Sequence, residues 1–359
     1  MERRADRGLA LVTSFLILFG LVMVYSASAP FSFRLYSNDS YLFLKQLLAS
    51  ALGIAILVFF ARLDYHRLRQ LDDVLLVGSF ALTVLTILPL PGLTSGRWLH
   101  LGPLAIQPSE LLKFSLVIYL AVSIDRRKER IASFTEGVLP YIVILCAIAV
   151  VLINQPDLGM LMLLGGLTVT MLYLGGARVA HLASIVAGSL PLIYLAVRFS
   201  PYRLSRIISF LNPQAHSNSS GYQITQSLLA IGSGGLIGRG LGASRTKLLY
   251  LPQAYNDFIF SVTAEELGLI GALVLIALLS AFVWRTLIIS WMAQDRLGTL
   301  LTLGIGFTIS YQVLLNLGVA MGLVPVTGLT LPFISNGGSS LLATLAMVGV
   351  VLSVSRESK

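Results

Sequence analysis

The sequence predicts an all-α integral membrane protein: a single membrane domain over residues 1–359, about ten transmembrane helices, and a long structured extracytoplasmic loop, near 200–257, between the seventh and eighth. Three observations predict it. Of 359 residues, 56% are hydrophobic and only 11% charged, too little polar surface to coat a soluble globule of this size. Apolar runs of about 20 residues, enough to cross a hydrocarbon core roughly 30 Å thick, recur from end to end. The basic residues gather in alternate short connections, the asymmetry of a multi-pass chain.

The runs fall at 9–29, 42–60, 72–91, 108–124, 138–153, 158–174, 180–199, 258–284, 298–321 and 338–355. The first follows Arg3, Arg4 and Arg7 as a signal peptide would, but it is long for one and further spans follow, so it reads as a retained helix. One set of connections then carries Arg62, Arg67 and Arg69, next Arg126, Arg127, Lys128 and Arg130, and later Arg178, Arg285, Arg296, Arg356 and Lys359. The opposite short connections, such as 154–158 and 324–340, hold no Lys or Arg. Both termini are therefore expected in the cytoplasm. The net charge of +9 speaks for topology rather than for nucleic acid. Cys146 stands alone, which excludes intrachain disulfides and cysteine metal clusters, and His66, His100, His181 and His216 lack metal-ligand spacing.

The connection from Ser200 to Asp257 is long and rich in Gly, Ser and Asn. Its mildly amphipathic stretch 222–231 and glycine-dense stretch 232–242 predict a re-entrant or interfacial piece packed on the helices rather than a floppy linker. Arg203, Arg206, Arg239, Arg245 and Lys247 run against the charge asymmetry; an anionic ligand and anionic headgroups are equal explanations. The glycines at 232, 234 and 238 nearly match a dinucleotide loop, but the last falls one place late and no strand precedes them.

Four segments place polar groups at span ends. In GRWLHLGPLAIQPSELLK, residues 96–113, Pro108 suits a first helical turn, and Glu110 and Lys113 share one helix face at i and i+3. They either neutralise each other's insertion or line a cavity. Asp257 opens the eighth span, either as an N-cap or as a functional carboxylate. Either Glu265, eight residues on, or Glu266 reads as a buried carboxylate, for a site or for helix packing. In 316–340, Pro325, Gly328, Pro332, Gly337 and Gly338 break helix geometry, which is tolerated where backbone is buried in protein or borders a wet cavity. Asp157 sits in the short turn NQPDLG, where it also serves to start a helix.

Residues 316–340, NLGVAMGLVPVTGLTLPFISNGGSS, resemble the signature of the shape, elongation, division and sporulation (SEDS) family of bacterial wall proteins. The other marks lie in order: GRW and QPSELLK within 96–113, QPDLG at 155–159, GYQITQSLLAIGSGGLIGRGLG at 221–242 and NDFIFSVTAEELG at 256–268. Short cytoplasmic tails favour the elongation branch over the division branch. Two positions depart from the pattern: Tyr255 stands where histidine is expected, and Asn336 where tyrosine is.

The resemblance implies a peptidoglycan glycosyltransferase of the bacterial cytoplasmic (inner) membrane, with an extracytoplasmic active site. It would polymerise lipid II into a nascent glycan strand beside a class B penicillin-binding protein and other elongation-complex membrane proteins. By motif position it makes Asp257, Lys113 and Glu110 the catalytic candidates. Arg97, Trp98, Gln107, Ser109, Asp157, Glu265, Ser335, Gly337 and Gly338 become candidate substrate contacts. Asp257 would be the base, with Lys113, Arg97 or basic loop residues stabilising the leaving diphosphate. If Lys113 pairs with Asp257 at rest, it lowers that carboxylate's pKa. No cofactor is certain; a divalent cation, Mg or Mn, is a candidate with no ligand set named by the sequence. A lipid II flippase or transporter and a non-catalytic membrane scaffold are the alternatives; outward-facing polar motifs weigh against the first, convergent Asp, Lys and Glu against the second.

Overall fold

A computed structural model describes residues 5–101, 104–213, 220–248 and 251–357; Arg3, Arg4, His216, Tyr250 and Lys359 lie outside them. The order is α1 (Arg7–Tyr36), α2 (Tyr41–Arg62), α3 (Asp72–Leu85), a β-meander, then α4 (Pro108–Arg127), α5 (Leu139–Asn154), α6 (Leu158–Leu174) and α7 (Val179–Arg198). After it come α8 (Pro201–Leu211), α9 (Ser220–Gly234), α10 (Ile259–Met292), α11 (Arg296–Ala320) and α12 (Gly338–Glu357). Ten of these helices stand on the ten apolar runs. Among the described residues, seven helical segments are long and apolar enough to cross a membrane: α1, α2, α5 with its preceding turn, α7, α10, α11 and α12. The others, α3, α4 and α6, are shorter or carry charge.

Span ends differ from expectation where local chemistry intervenes. The third run, expected to 91, gives a helix that stops at Leu85, because Pro89 and Pro91 disfavour helical geometry in the residues before them. Pairings gather both termini at one end of the bundle. There Arg285 meets Asp6 at 2.6 Å, the Asp6 N–H donates to Ser355 at 3.0 Å, Tyr65 donates to Asp295 at 2.9 Å, and Arg126 meets Asp72 at 3.1 Å. We call this the termini end. The motifs occupy the opposite, loop end.

The loop end is ordered by backbone accounting. The 200–257 connection holds α8 and α9, and α9 buries Ile224, Ser227 and Ala230 at helical spacing. Ser227 donates to Ala320 O at 2.6 Å, fixing α9 to the end of α11. Helix α10 breaks at Gly268, whose φ is 68°. The break leaves the carbonyls of Glu265 and Glu266 and the N–H groups of Leu269 and Ile270 without their helical partners. The glycine-rich loop replaces all four: Arg239 and Gly240 N–H donate to the carbonyls of residues 265 and 266, and Leu269 and Ile270 N–H donate to the carbonyls of Gly235 and Leu236, at 2.9–3.2 Å. A Cβ on Gly238 would lie 2.2 Å from Glu266 O, so glycine is required there for backbone to touch backbone. The near-dinucleotide pattern is thus a splint for a broken helix.

Candidate active site

A three-stranded antiparallel meander, β1 (Thr94–Ser95), β2 (Trp98–Leu101) and β3 (Leu104–Ile106), precedes α4 and positions the first site residue. Ser95 pairs with Trp98, so Gly96 and Arg97 form a two-residue turn with Gly96 at φ 61°. Arg97 stands at its tip. Its guanidinium donates to Gln155 O at 3.1 Å and to Pro156 O, and its Nη1 lies 3.4 Å from Asp157 Oδ2. Asp157 also accepts from Met160 N–H at 3.2 Å, so it starts α6 and faces Arg97 at once.

Asp257 faces the same place. A Cβ on Gly328, itself at φ 78°, would sit 3.5 Å from Arg97 Nη1 and 3.9 Å from Asp257 Oδ2, so this glycine keeps clear the space between guanidinium and carboxylate. The N-cap position of α10 is Phe258, and no side chain caps that helix. Asp257 is therefore no cap. Among the described residues its carboxylate accepts no hydrogen bond, while its backbone carbonyl is held by Asn316 Nδ2 at 2.9 Å. Burial pushes its pKa up to about 6; Arg206 and Arg97 oppose the rise and Asp157 adds to it. Burial likewise raises Asp157, against Arg97.

Lys113 does not pair with Asp257, which corrects that expectation and the lowered pKa it entailed. Its ammonium is fully buried, 2.5 Å from Glu110 Oε2 and 2.7 Å from Gln312 Oε1. The i, i+3 spacing on α4 makes the Glu110 contact available within one turn, whereas Asp257 lies beyond the 327–330 backbone. The two centres are linked through α11. Gln312 donates to Thr330 O at 2.9 Å, and Asn316, one turn along, donates to Leu329 O at 2.8 Å and to Asp257 O.

The other candidates divide. Ser335 donates to Asn256 O at 2.6 Å and accepts from Leu331 N–H at 2.8 Å, holding the 331–335 turn against the residue before Asp257. Gly337 N–H donates to Gln46 Oε1 at 3.2 Å, Gly338 begins α12, and Gln107 N–H donates to Ser339 at 3.0 Å. These residues fasten loops beside the site. Ser109 is buried with its hydroxyl unpartnered among the described residues, and Trp98 is partly exposed on β2. Glu265 is drawn elsewhere. It accepts from Ser244 at 2.6 Å, from Arg245 N–H at 2.9 Å and from Thr246, while Arg239 stands 3.8 Å away. It therefore anchors the 239–247 loop rather than facing Asp257, because the splint brings that loop across its helix turn.

Sequence reasoning left Gln312, Asn316 and Gln46 out of the site and named Arg206 only as one of five basic loop residues. Arg206 donates to Val326 O at 2.7 Å and acts on Asp257, unlike its neighbour Arg203, which binds Ala196 O and Ile153 O. Buried amides inside apolar spans were the available signal for Gln46 and Gln312. The two departures from the motif meet: Asn336 N–H donates to Tyr255 O at 3.0 Å, and the Tyr255 ring lies 4.9 Å from that of Phe31.

Comparison with known proteins places this geometry. The model of the FtsW/RodA/SpoVE family, described as cell cycle protein, matches residues 7–359. The chain belongs to this family. The stage V sporulation protein E of Bacillus subtilis is 41% identical over 358 residues, covering 99% of this chain and 98% of that one. The probable peptidoglycan glycosyltransferase FtsW of Geobacter metallireducens is 40% identical over 359 residues, covering 99% and 96%. Among solved structures, a chain from a peptidoglycan synthase complex that coordinates polymerization and crosslinking aligns with a TM-score of 0.79 at 30% identity, covering 99% of this chain and 98% of that one. The rod shape determining protein RodA of Thermus thermophilus aligns with a TM-score of 0.71 at 28% identity, covering 99% and 97%. The fold of the FtsW/RodA/SpoVE family is thus shared over the whole membrane domain. Of the proteins named here, RodA is a structural match, while the sequence relatives are FtsW and the stage V sporulation protein E.

Proposed function

We propose that the chain is a peptidoglycan glycosyltransferase that joins lipid II units through β-1,4 bonds and releases undecaprenyl diphosphate. The 4-hydroxyl of one lipid-linked disaccharide attacks the anomeric carbon of another, its proton leaves to a base, and the diphosphate departs with the bonding pair. Asp257 is the base. The observation that carries this reading is a carboxylate with no hydrogen-bond donor among the described residues, facing the space beside Gly328, with its pKa raised toward neutrality. Arg97 and Arg206 stand beside it to hold the leaving diphosphate. Lys113 and Glu110 act from below, through Gln312 and the 327–330 backbone, as positioning residues.

A divalent cation, Mg or Mn, fits the donor chemistry of Asp257 and Asp157, since one or two carboxylates with substrate diphosphate oxygens is magnesium's ordinary share; it would supply charge to the leaving group. The names of the relatives support the reaction. The charge asymmetry supports cytoplasmic termini, an extracytoplasmic site and residence in the bacterial inner membrane. The likeness to a synthase complex supports a class B penicillin-binding protein as partner, in wall elongation or division.

The test uses the purified full chain in detergent with lipid II as its only substrate. Asp257→Ala is expected to reduce polymer formation at least about a hundredfold with an unchanged melting profile. Wild-type turnover by that variant would remove Asp257 from the reaction. Failure of the wild-type chain to make polymer alone, with recovery on adding the penicillin-binding partner, would assign activation to that partner.

A further inference from the structure

A second polar site lies far from Asp257, at the termini end. The last turns of α4, the start of α3 and the 128–136 connection border an open cavity of about 560 Å³. Tyr119, Ser123, Arg126 and Arg127 line it from α4, a stripe on one helix face at steps of three and four residues descending from the paired arginines toward the hydrophobic part of the bundle, and Arg130 joins them from the turn that follows the helix. Two of the three arginines are committed. Arg126 is paired with Asp72, and Arg127 donates to Glu136 O and lies 5.4 Å over the Tyr141 ring. The third is not: among the described residues the Arg130 side chain has neither an ion pair nor a hydrogen bond. The Tyr119 hydroxyl is likewise without a hydrogen-bond partner, whereas Ser123 accepts from Tyr141 at 2.9 Å.

We propose that this cavity binds a phosphate group, with Arg130 as its principal contact, Arg127 beside it and the Tyr119 hydroxyl beneath. Guanidinium groups are the side chains best matched to phosphate oxygens. Asp73 and Glu136 also line the cavity and set a limit on its positive charge, so the site selects for a compact phosphate and not for a polyanion. The phosphate comes either from a lipid headgroup, whose glycerol and acyl chains would follow the stripe past Ser123 and Tyr119, or from a free phosphate in solution. A basic pocket among membrane helices is a recognised place for the former.

The experiment is native mass spectrometry on the full chain in detergent, titrated with dioleoyl phosphatidylglycerol and with dioleoylglycerol, which lacks the phosphate. A first adduct with phosphatidylglycerol is expected to be at least tenfold tighter than with dioleoylglycerol. Arg130→Gln should weaken it at least fivefold and Tyr119→Phe about twofold, while Lys128→Gln, an exposed cation outside the lining, should leave it unchanged. Displacement of the adduct by millimolar inorganic phosphate, with the same dependence on Arg130, would identify a free phosphate as occupant and uphold the site. Equal affinity for the two lipids, or equal loss in the Arg130 and Lys128 variants, would overturn it, since attraction would then be apolar or a diffuse surface charge. Because the Arg130 side chain holds no partner among the described residues, its variant should melt as wild type, and Tyr119→Phe gives an independent reading.

Discussion

Two acidic centres lie within ten residues at the start of α10, Asp257 just before the helix and Glu265 with Glu266 inside it, and they behave oppositely. At Glu265 and Glu266 nearly every lone pair is met: hydroxyls and backbone N–H groups bind the first, while Lys247 at 2.6 Å and Ser26 at 2.7 Å bind the second. At Asp257 no donor among the described residues reaches the carboxylate, and burial raises its pKa to about 6. A saturated buried acid stabilises the fold it sits in. An unsaturated one costs stability and is available to a substrate.

The comparison can be broken first at its saturated half. Glu266→Ala strands the buried Lys247 ammonium, and a loss of about 3–5 kcal/mol is expected by thermal or denaturant unfolding. Lys247→Met in the same chain should recover much of it. A loss below 1 kcal/mol, roughly that of an exposed pair, would show that this pair is no more than a surface contact.

The unsaturated half has the opposite sign. Asp257 holds its proton more tightly in the folded chain than at its ordinary value of 3.8, so its ionised form subtracts stability above pH of about 6, and the penalty disappears as pH falls below 3.8. Asp257→Asn should therefore melt higher than wild type at pH 8, by at most about 3 kcal/mol at about 1.36 kcal/mol per pKa unit, and equally at pH 4. Wild-type turnover should fall as pH drops through about 6, because the base must be ionised. A profile flat from pH 5 to 8 would count against the raised pKa.

Lys113 sharpens the contrast, being saturated yet joined to the site through Gln312. Lys113→Met should lower turnover at least about tenfold. Adding Glu110→Gln should restore stability without restoring turnover; recovery of both would reduce the pair to a structural one. The smallest expected effect is at Gly328. Gly328→Ala at φ 78° should cost about 1–2 kcal/mol of stability and raise KM more than it lowers kcat, since the methyl enters the space between Arg97 and Asp257.

Much of this was legible beforehand because apolar length and charge asymmetry are one-dimensional. The ten helices, the order of α9 and the buried Glu110–Lys113 pair follow from run length, amphipathic spacing and i, i+3 proximity. The role of Glu265 was not legible, since its nearness to Asp257 along one helix says nothing of which loop reaches it first. Arg203 and Arg206 are chemically alike and three apart, yet only the second turns toward Asp257.

The sequence by itself determined that this chain lives in a bilayer, where its helices lie, and which carboxylates and cations stand at span ends, because hydration and hydrophobic length act on each segment alone. Only the tertiary structure decided which charges neutralise one another. Lys113 found Gln312 across the bundle, Lys247 chose Glu266, and the 235–248 loop took the polar groups of a broken helix, all through contacts between separate segments of the chain. Asp257 is what remained without a donor among the described residues, and in a low-dielectric site that absence is the chemistry.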